Sequence, residues 1–176
     1  NYGVNDEDIE SRRPFLEGFV VKENSPVASN WRSKKTLEQY LKENNIIGIE
    51  GVDTRAITRH IRVQGAMKAL ISTRDMNDDS LREKIKSAPG LTGRDIVKEV
   101  TCESAYNWNE TGDYKVAAID CGIKYNILRI LESRSCRVTV VPYNTSAGEI
   151  LAMKPDGLFL ANGPGDPAEV AHVPET

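Results

Sequence analysis

Three apolar segments in the second half of the chain constrain its fold more than any other feature. They comprise residues 116–119, 138–141 and 157–161, and the segments between them have helical length and periodicity. Near-continuous apolar runs of this length are typical of strands that are buried on both faces of a parallel sheet. The order therefore predicts a β-α-β-α-β unit and an α/β fold class.

The loops that follow the first and third of these strands are the predicted places for chemistry. In open parallel sheets, ligands bind where the carboxyl ends of the strands meet the loops, so residues 120–124 and 162–167 should share one rim. Gly163 and Gly165 can bring main-chain N–H groups close to a ligand because they have no Cβ, and Asp166 can cap the next helix. An isolated Gly-Pro-Gly is also compatible with a tight turn that binds nothing.

Composition and charge argue against several classes of partner. The net charge of −3 arises from 23 basic and 26 acidic residues that are interspersed, so no electrostatic surface for nucleic acid or for a membrane is expected. Three widely spaced cysteines fit neither a disulfide framework nor a metal site, and no apolar segment approaches the roughly 18 residues of a membrane span. We therefore expect a cytoplasmic protein. The chain opens on Asn1 and ends just after a new element begins, which suggests a fragment.

The first half of the chain predicts mixed α/β structure. A polar linker at 106–113 would separate the two parts, giving domains at 1–105 and 114–176. The predicted elements are a strand at 15–21, a helix capped by Ser33 and ending near Asn44, a strand at 46–49, a helix from Asp53 to Gly65, a strand at 66–72, a helix capped by Asp78 or Asp79 and ended by Pro89-Gly90, and a short helix within 93–100.

Arginines at positions 55, 59 and 62 lie three to four residues apart and so share one flank of the predicted helix. Such a flank can contact an anion or an acidic partner. A charged flank that is simply solvated is the other interpretation, and the residues alone leave both open.

Four short segments stand out in order along the chain: Ala-Ser-Asn-Trp-Arg at 28–32, Gly-Val-Asp-Thr-Arg at 51–55, Asp-Cys-Gly-Ile-Lys-Tyr-Asn-Ile at 120–127 and Asn-Gly-Pro-Gly-Asp-Pro at 162–167. Together they resemble the small, glutamine-dependent subunit of carbamoyl-phosphate synthetase. The resemblance runs along essentially the whole chain. It implies an incomplete mixed α/β N-terminal domain, followed by the first βαβαβ portion of a flavodoxin-like class I glutamine amidotransferase domain.

The resemblance also implies a function. The family subunit hydrolyses L-glutamine and passes ammonia to a large subunit, which uses ATP and bicarbonate to make carbamoyl phosphate for arginine and pyrimidine synthesis. ATP and Mg belong to the large subunit, so no cofactor is expected here. Gly163 would supply an oxyanion-hole N–H group, and Gly165 would contact the bound glutamine. Lys124 and Asn126 are interpreted as structural or rim-lining residues.

The catalytic residues of that family are not found in this sequence. The family uses a Cys-His-Glu triad whose cysteine lies in a Gly-x-Cys-x-Gly turn, and no such turn is present. Cys121 is interpreted as a small packed residue, and neither Cys102 nor Cys136 is a better nucleophile. The remaining candidates, His60 and His172, have the wrong context for the catalytic base. We therefore expect an internal fragment that lacks both the N-terminal start and the catalytic C-terminal half, and that is inactive alone.

Two alternatives remain. The chain could belong to the glutaminase of another class I system, such as anthranilate or guanylate synthesis, although the Val-Asp-Thr-Arg segment argues against this. It could also be a non-catalytic binding module with a flavodoxin-like half, which would account equally well for the missing nucleophile.

Overall fold

The computed structural model describes residues 2–91, 93–170 and 173. The chain forms two compact units, Asn1–Pro89 and Gly90–Thr176. The strands are β1 (Gly18–Val20), β2 (Ile47–Ile49), β3 (Tyr106–Asn107), β4 (Tyr114–Asp120), β5 (Cys136–Pro142) and β6 (Gly157–Leu160). The α-helices are α1 (Leu37–Glu43), α2 (Thr54–Gln64), α3 (Asp78–Ser87), α4 (Val97–Val100), α5 (Tyr125–Ser133) and α6 (Ala147–Ala152), and short 3-10 turns occupy Asp6–Asp8 and Pro167–Val170.

The first unit contains a small parallel sheet. Strands β1 and β2 pair with Gly18 opposite Ile47 and Val20 opposite Ile49, so both strands predicted at 15–21 and 46–49 are confirmed in shorter form. Helix α1 packs on β2 through Leu41, which lies against Gly48.

Helix α1 begins later than the sequence predicts. Ser33 is not its cap, because the helix begins only at Leu37, and Lys35, two residues after Ser33, forms an isolated bridge with Val4. Thr36 is the N-cap instead: its side chain accepts from the Gln39 N–H, and the Gln39 side chain accepts from the Thr36 N–H. This capping box supplies acceptors to two N–H groups that would otherwise lie outside the helical hydrogen-bond pattern.

Helix α2 has the predicted ends. Asp53 accepts a hydrogen bond from the Ala56 N–H at 2.9 Å, and Gly65 ends the helix at φ +85°, a conformation that favours glycine. The cap of α3 is Asn77, which accepts from the Ser80 N–H, so the prediction of Asp78 or Asp79 is wrong by one or two positions. Those two carboxylates lie in the first turn, where the helix dipole favours negative charge.

Residues 66–72 do not form the predicted strand. The segment has no backbone ladder, and Ile71 instead packs its side chain where a Cβ on Gly18 would lie, 2.7 Å from the Ile71 Cδ1. An apolar run can therefore contribute to packing against β1 without pairing with it.

The second unit contains the predicted parallel sheet. Its strand order is β3-β5-β4-β6, and β4 pairs in parallel with both β5 and β6. Helix α5 covers one face through Leu128, which packs with Ala118, Val138 and Val140. Helices α4 and α6 contribute Val97 and Ile150 to a cluster on the other face. The β-α-β-α-β prediction is confirmed.

The middle of the sheet is buried on both faces, as predicted, but β6 is not. In β4, residues 117–120 are all buried, whereas Leu158 and Leu160 of β6 are 52% and 51% exposed. The difference arises from position, because β6 is the end strand of the order and pairs with β4 alone among the described residues.

The segment at 106–113, predicted as a linker, takes part in the second unit. Tyr106 and Asn107 form β3, antiparallel to β5, and the Asn109 side chain accepts from the Val138 N–H at 2.9 Å. The boundary between the compact units instead falls at Pro89 and Gly90. Polar, turn-forming composition therefore does not distinguish a linker from an edge strand whose side chains bond to its neighbour.

Candidate functional site

The loops after β4 and β6 meet at the carboxyl rim of the sheet, as the sequence predicts. A Cβ built on Gly163 would lie 2.4 Å from the Cys121 carbonyl oxygen. On the other side of the contact, a Cβ on Gly122 would lie 3.6 Å from Pro164 and 3.8 Å from the Asn162 carbonyl oxygen. The two loops are therefore in direct contact, and Gly163 is required for their close approach.

Asp120 holds the first of these loops in place. Its buried carboxylate accepts hydrogen bonds from the N–H groups of Gly122 and Ile123, at 2.9 and 2.8 Å, and from the N–H group of Cys102 at 2.8 Å. Three main-chain donors satisfy this carboxylate, so its role in the structure is to fix the rim loop rather than to face a ligand.

The loop at 162–167 presents two glycine N–H groups. Gly163 and Gly165 are both exposed, and neither N–H group has a hydrogen-bond acceptor among the residues that the structure describes. Gly165 adopts φ +87°, and a Cβ there would lie 2.9 Å from Ile96. Main-chain donors of this kind can stabilise an oxyanion or hold a carbonyl group. Close packing by itself also explains why both positions are glycine. Their contacts with glutamine therefore stay a prediction.

The Asp166 carboxylate stabilises the turn that follows. It accepts from the Ala168 N–H at 3.0 Å, at the start of the 3-10 turn Pro167–Val170. The predicted capping role of Asp166 is confirmed, with a 3-10 turn in place of an α-helix.

A pair of residues that the sequence analysis did not single out also lies at this rim. Tyr143 follows β5 directly, and its hydroxyl donates to the Asp95 carboxylate at 2.6 Å. This hydrogen bond raises the pKa of Tyr143 to about 12, so the phenol is neutral at physiological pH. Burial opposes ionisation of Asp95, but hydrogen bonds from Tyr143 and from the backbone outweigh it and lower the pKa of Asp95. The signal in the sequence that could have identified Tyr143 as a rim residue was its position just after the predicted strand at 138–141.

Cys121 lacks the properties of a nucleophile. Burial, and then the negative charges of Asp120 and Asp95, raise the pKa of its thiol, which disfavours the reactive thiolate. Cys136 begins β5, and the Cys102 N–H is bonded to Asp120. The structure places His60 in α2 of the first unit, and His172 lies outside the described residues.

Lys124 and Asn126 lie at the start of α5, where both are exposed. Lys124 is the N-cap residue of that helix, but its side chain makes no capping hydrogen bond. Their interpretation as structural or rim-lining residues stays a prediction.

The described residues show neither a metal-binding group nor a membrane-spanning helix. No group of three or more His, Cys, Asp or Glu side chains that could hold a metal ion occurs among them. Within the same residues, no helix has both the length and the apolar character needed to span a membrane.

Family models match both parts of the chain. Residues 1–71 match the model described as "Carbamoyl-phosphate synthase small chain, CPSase domain", and residues 117–176 match "Glutamine amidotransferase class-I". The order of the two matches is the order of the two parts that the resemblance implies.

Curated relatives align with nearly the whole chain. The carbamoyl phosphate synthase small chain of Syntrophotalea carbinolica is 53% identical over 189 aligned positions, which cover 99% of this chain and 50% of the relative. The small chain of Aquifex aeolicus is 46% identical, with 97% of this chain and 49% of the relative covered. The chloroplastic small chain of Oryza sativa is 45% identical, with 100% and 42% covered. The chain thus spans about half the length of the curated relatives it matches.

Proposed function

Because the chain belongs to the carbamoyl phosphate synthase small-chain family, we propose that it forms part of a subunit that hydrolyses L-glutamine. The ammonia would pass to an ATP-dependent large subunit that makes carbamoyl phosphate from bicarbonate, for arginine and pyrimidine synthesis. One observation carries this proposal: both family models match, in order, along a chain that is aligned almost end to end with small chains of this enzyme.

The rim loop at 162–167 is the part of the glutaminase site that this chain would contribute. Hydrolysis of an amide passes through a tetrahedral intermediate whose oxygen carries negative charge, and main-chain N–H groups stabilise that charge. The Gly163 N–H would act as the oxyanion donor, and Gly165 would contact the bound glutamine. Both glycines are exposed, and their N–H groups lack acceptors in the described part of the chain, which supports these roles.

The nucleophile is assigned to a position beyond residue 176. A cysteine nucleophile needs a lowered pKa or an adjacent base, whereas the pKa of Cys121 is raised. We therefore expect no cysteine-dependent glutaminase activity from this 176-residue chain alone. The measurement is ammonia release from glutamine, with a Cys121→Ser variant as the control. Ammonia release that the variant abolishes would contradict the assignment.

The coding sequence gives a second test. The proposal predicts that it continues in frame to a Gly-x-Cys-x-Gly turn about 25–30 residues after Gly165, and later to a His-Pro-Glu segment. A stop codon directly after Thr176 would instead favour the non-catalytic binding module.

Further expectations belong to the same proposal. The subunit would need no cofactor of its own, because ATP and Mg would bind to the large subunit. A cytoplasmic location remains a prediction. Assignment to another class I glutaminase is disfavoured, because the model matching residues 1–71 is that of the carbamoyl-phosphate synthase small chain.

A further inference from the structure

Helix α2 carries a row of arginines whose side chains are not bonded to any other residue that the structure describes. Arg55, Arg59 and Arg62 are exposed, and none of them forms an ion pair or hydrogen bond with a residue that the structure describes. Together with Thr54 and Thr58 they line one shallow depression on the helix. The three side chains therefore share a face, as their spacing predicts.

The charges on this face are not balanced within the helix. Residues 54–64 contain no aspartate or glutamate, and the Asp53 carboxylate is occupied by capping the Ala56 N–H. Other helices of the same unit balance their charges: Lys42 pairs with Glu38 in α1, and Lys86 pairs with Glu83 in α3. Like charges three or four residues apart destabilise a helix, so an acidic partner would relieve a repulsion that the free helix carries.

We propose that this face of α2 is a docking surface for an acidic patch on a protein partner. Given the proposed function, on which this inference rests, the partner is the large subunit. Arginine is suited to the role because its planar guanidinium can bind carboxylates through two parallel hydrogen bonds. Val63 lies four residues after Arg59, at the margin of the row, and is 80% exposed, so it offers an apolar contact beside the charges.

Other anionic partners fit the surface less well. Nucleic acids and anionic membranes are extended polyanions, so the whole chain's net charge of −3 opposes association with them, whereas a small acidic patch on a protein faces mainly the local row of arginines. A helix lying in a membrane inserts the apolar face opposite its basic residues, but Ile57 and Ile61 on that face are only 40% and 44% exposed, so much of this face is already covered.

The test measures binding of the chain to the cognate carbamoyl phosphate synthase large chain by calorimetry at two salt concentrations. The variant is Arg55→Glu/Arg59→Glu. The control is Arg134→Glu/Lys154→Glu, which changes the net charge equally through exposed residues of the second unit. Circular dichroism checks that each variant keeps its helix content. We expect the α2 variant to raise the Kd about tenfold and to lose most of the salt dependence, and the control to change the Kd less than about twofold.

The outcomes separate this inference from the proposed function. If the unmodified chain binds and the α2 variant binds within twofold of it, the docking surface is wrong and the proposed assembly stands. If the unmodified chain does not bind the large chain, both are overturned. Vesicles of phosphatidylserine and phosphatidylcholine, and a single-stranded RNA, serve as competing probes. Binding to either that the α2 variant abolishes, with large-chain binding unchanged, would also overturn the proposal.

Discussion

The two compact units differ in how much of their structure is buried. In the second unit, Val138, Val140 and Val141 of β5 are completely buried between layers of helices. In the first unit, Leu41 is the only buried hydrophobic side chain among the described residues, and every residue of β2 is exposed. The other apolar side chains of the first unit are half-buried or exposed, and caps and surface ion pairs, such as those from Arg32 to Glu7 and Asp8, supplement their contacts.

This difference shows that well-formed local structure does not require a well-formed core. Caps specify helix ends in both units, but an exposed ion pair contributes at most about 1 kcal/mol, whereas one fully buried leucine contributes about 1.5–3 kcal/mol. We therefore infer that the second unit is the more stable of the two and that its rim loops rest on the more rigid support.

The largest effect is expected in the core of the second unit. Leu128→Ala should lower its free energy of unfolding by about 2–5 kcal/mol, because the side chain is fully buried in α5. The matched change in the first unit is Leu81→Ala in α3, where no residue is buried, and about 1 kcal/mol is expected. Urea unfolding of the two variants measures both. Equal losses would contradict the comparison.

A smaller effect is expected at the rim. Gly163→Ala should lower the free energy of unfolding by about 1–3 kcal/mol, because the new Cβ would meet the Cys121 carbonyl oxygen. Gly148→Ala in α6 is the control: nothing lies within 4 Å of its added Cβ, and the change should stabilise by about 0.4–1 kcal/mol. Thermal unfolding gives both values. A neutral Gly163→Ala would show that the two loops are not tightly packed.

The cap of α1 tests whether local bonds hold the first unit. Thr36→Ala should destabilise it by about 1 kcal/mol, because the Gln39 N–H loses its acceptor. Ser33→Ala, at the position that the sequence favoured, should cost less, about 0.5 kcal/mol. Hydrogen exchange of the α1 amides reports both changes. A larger effect at Ser33 would indicate that Ser33, and not Thr36, is the N-cap.

The smallest effect is expected at Asp75 and depends on pH. Hydrogen bonds from Lys84, then from Ser80 and the Asn77 N–H, lower the pKa of Asp75 from 3.8 to about 2. Since the folded state has the lower pKa, the carboxylate stabilises the fold at neutral pH. This contribution should be lost as the pH falls from about 4 through about 2. The free energies of unfolding of Asp75→Asn and of the unmodified chain should differ at pH 7 and converge near pH 2. A difference that stays constant with pH would contradict the lowered pKa of Asp75.

Much of the fold was predictable because its signals are local. The apolar segments predicted β4, β5 and β6, and Asp53 and Gly65 predicted both ends of α2. The rim followed from these strands, because parallel strands carry their carboxyl ends to the same edge of a sheet. The family resemblance carried by the four motifs agrees with the comparisons along nearly the whole chain.

What the sequence could not decide depends on residues far apart in the chain. Residues 66–72 have the apolar pattern of a strand, but a strand also requires a partner edge; in the described residues β1 pairs with β2, and this segment contributes the Ile71 side chain next to Gly18. Residues 106–113 have the composition of a linker, yet bonds to β5 order them.

The sequence by itself therefore determined the β-α-β-α-β segments from β4 to β6, the glycine-rich rim loop and the family. Only the tertiary structure decided which apolar segments pair, that Asp120 accepts hydrogen bonds from three main-chain N–H groups, and that the Tyr143 hydroxyl donates to Asp95. The physical reason is that periodicity and capping act over a few neighbouring residues, whereas pairing, burial and pKa depend on groups that only the folded chain brings together.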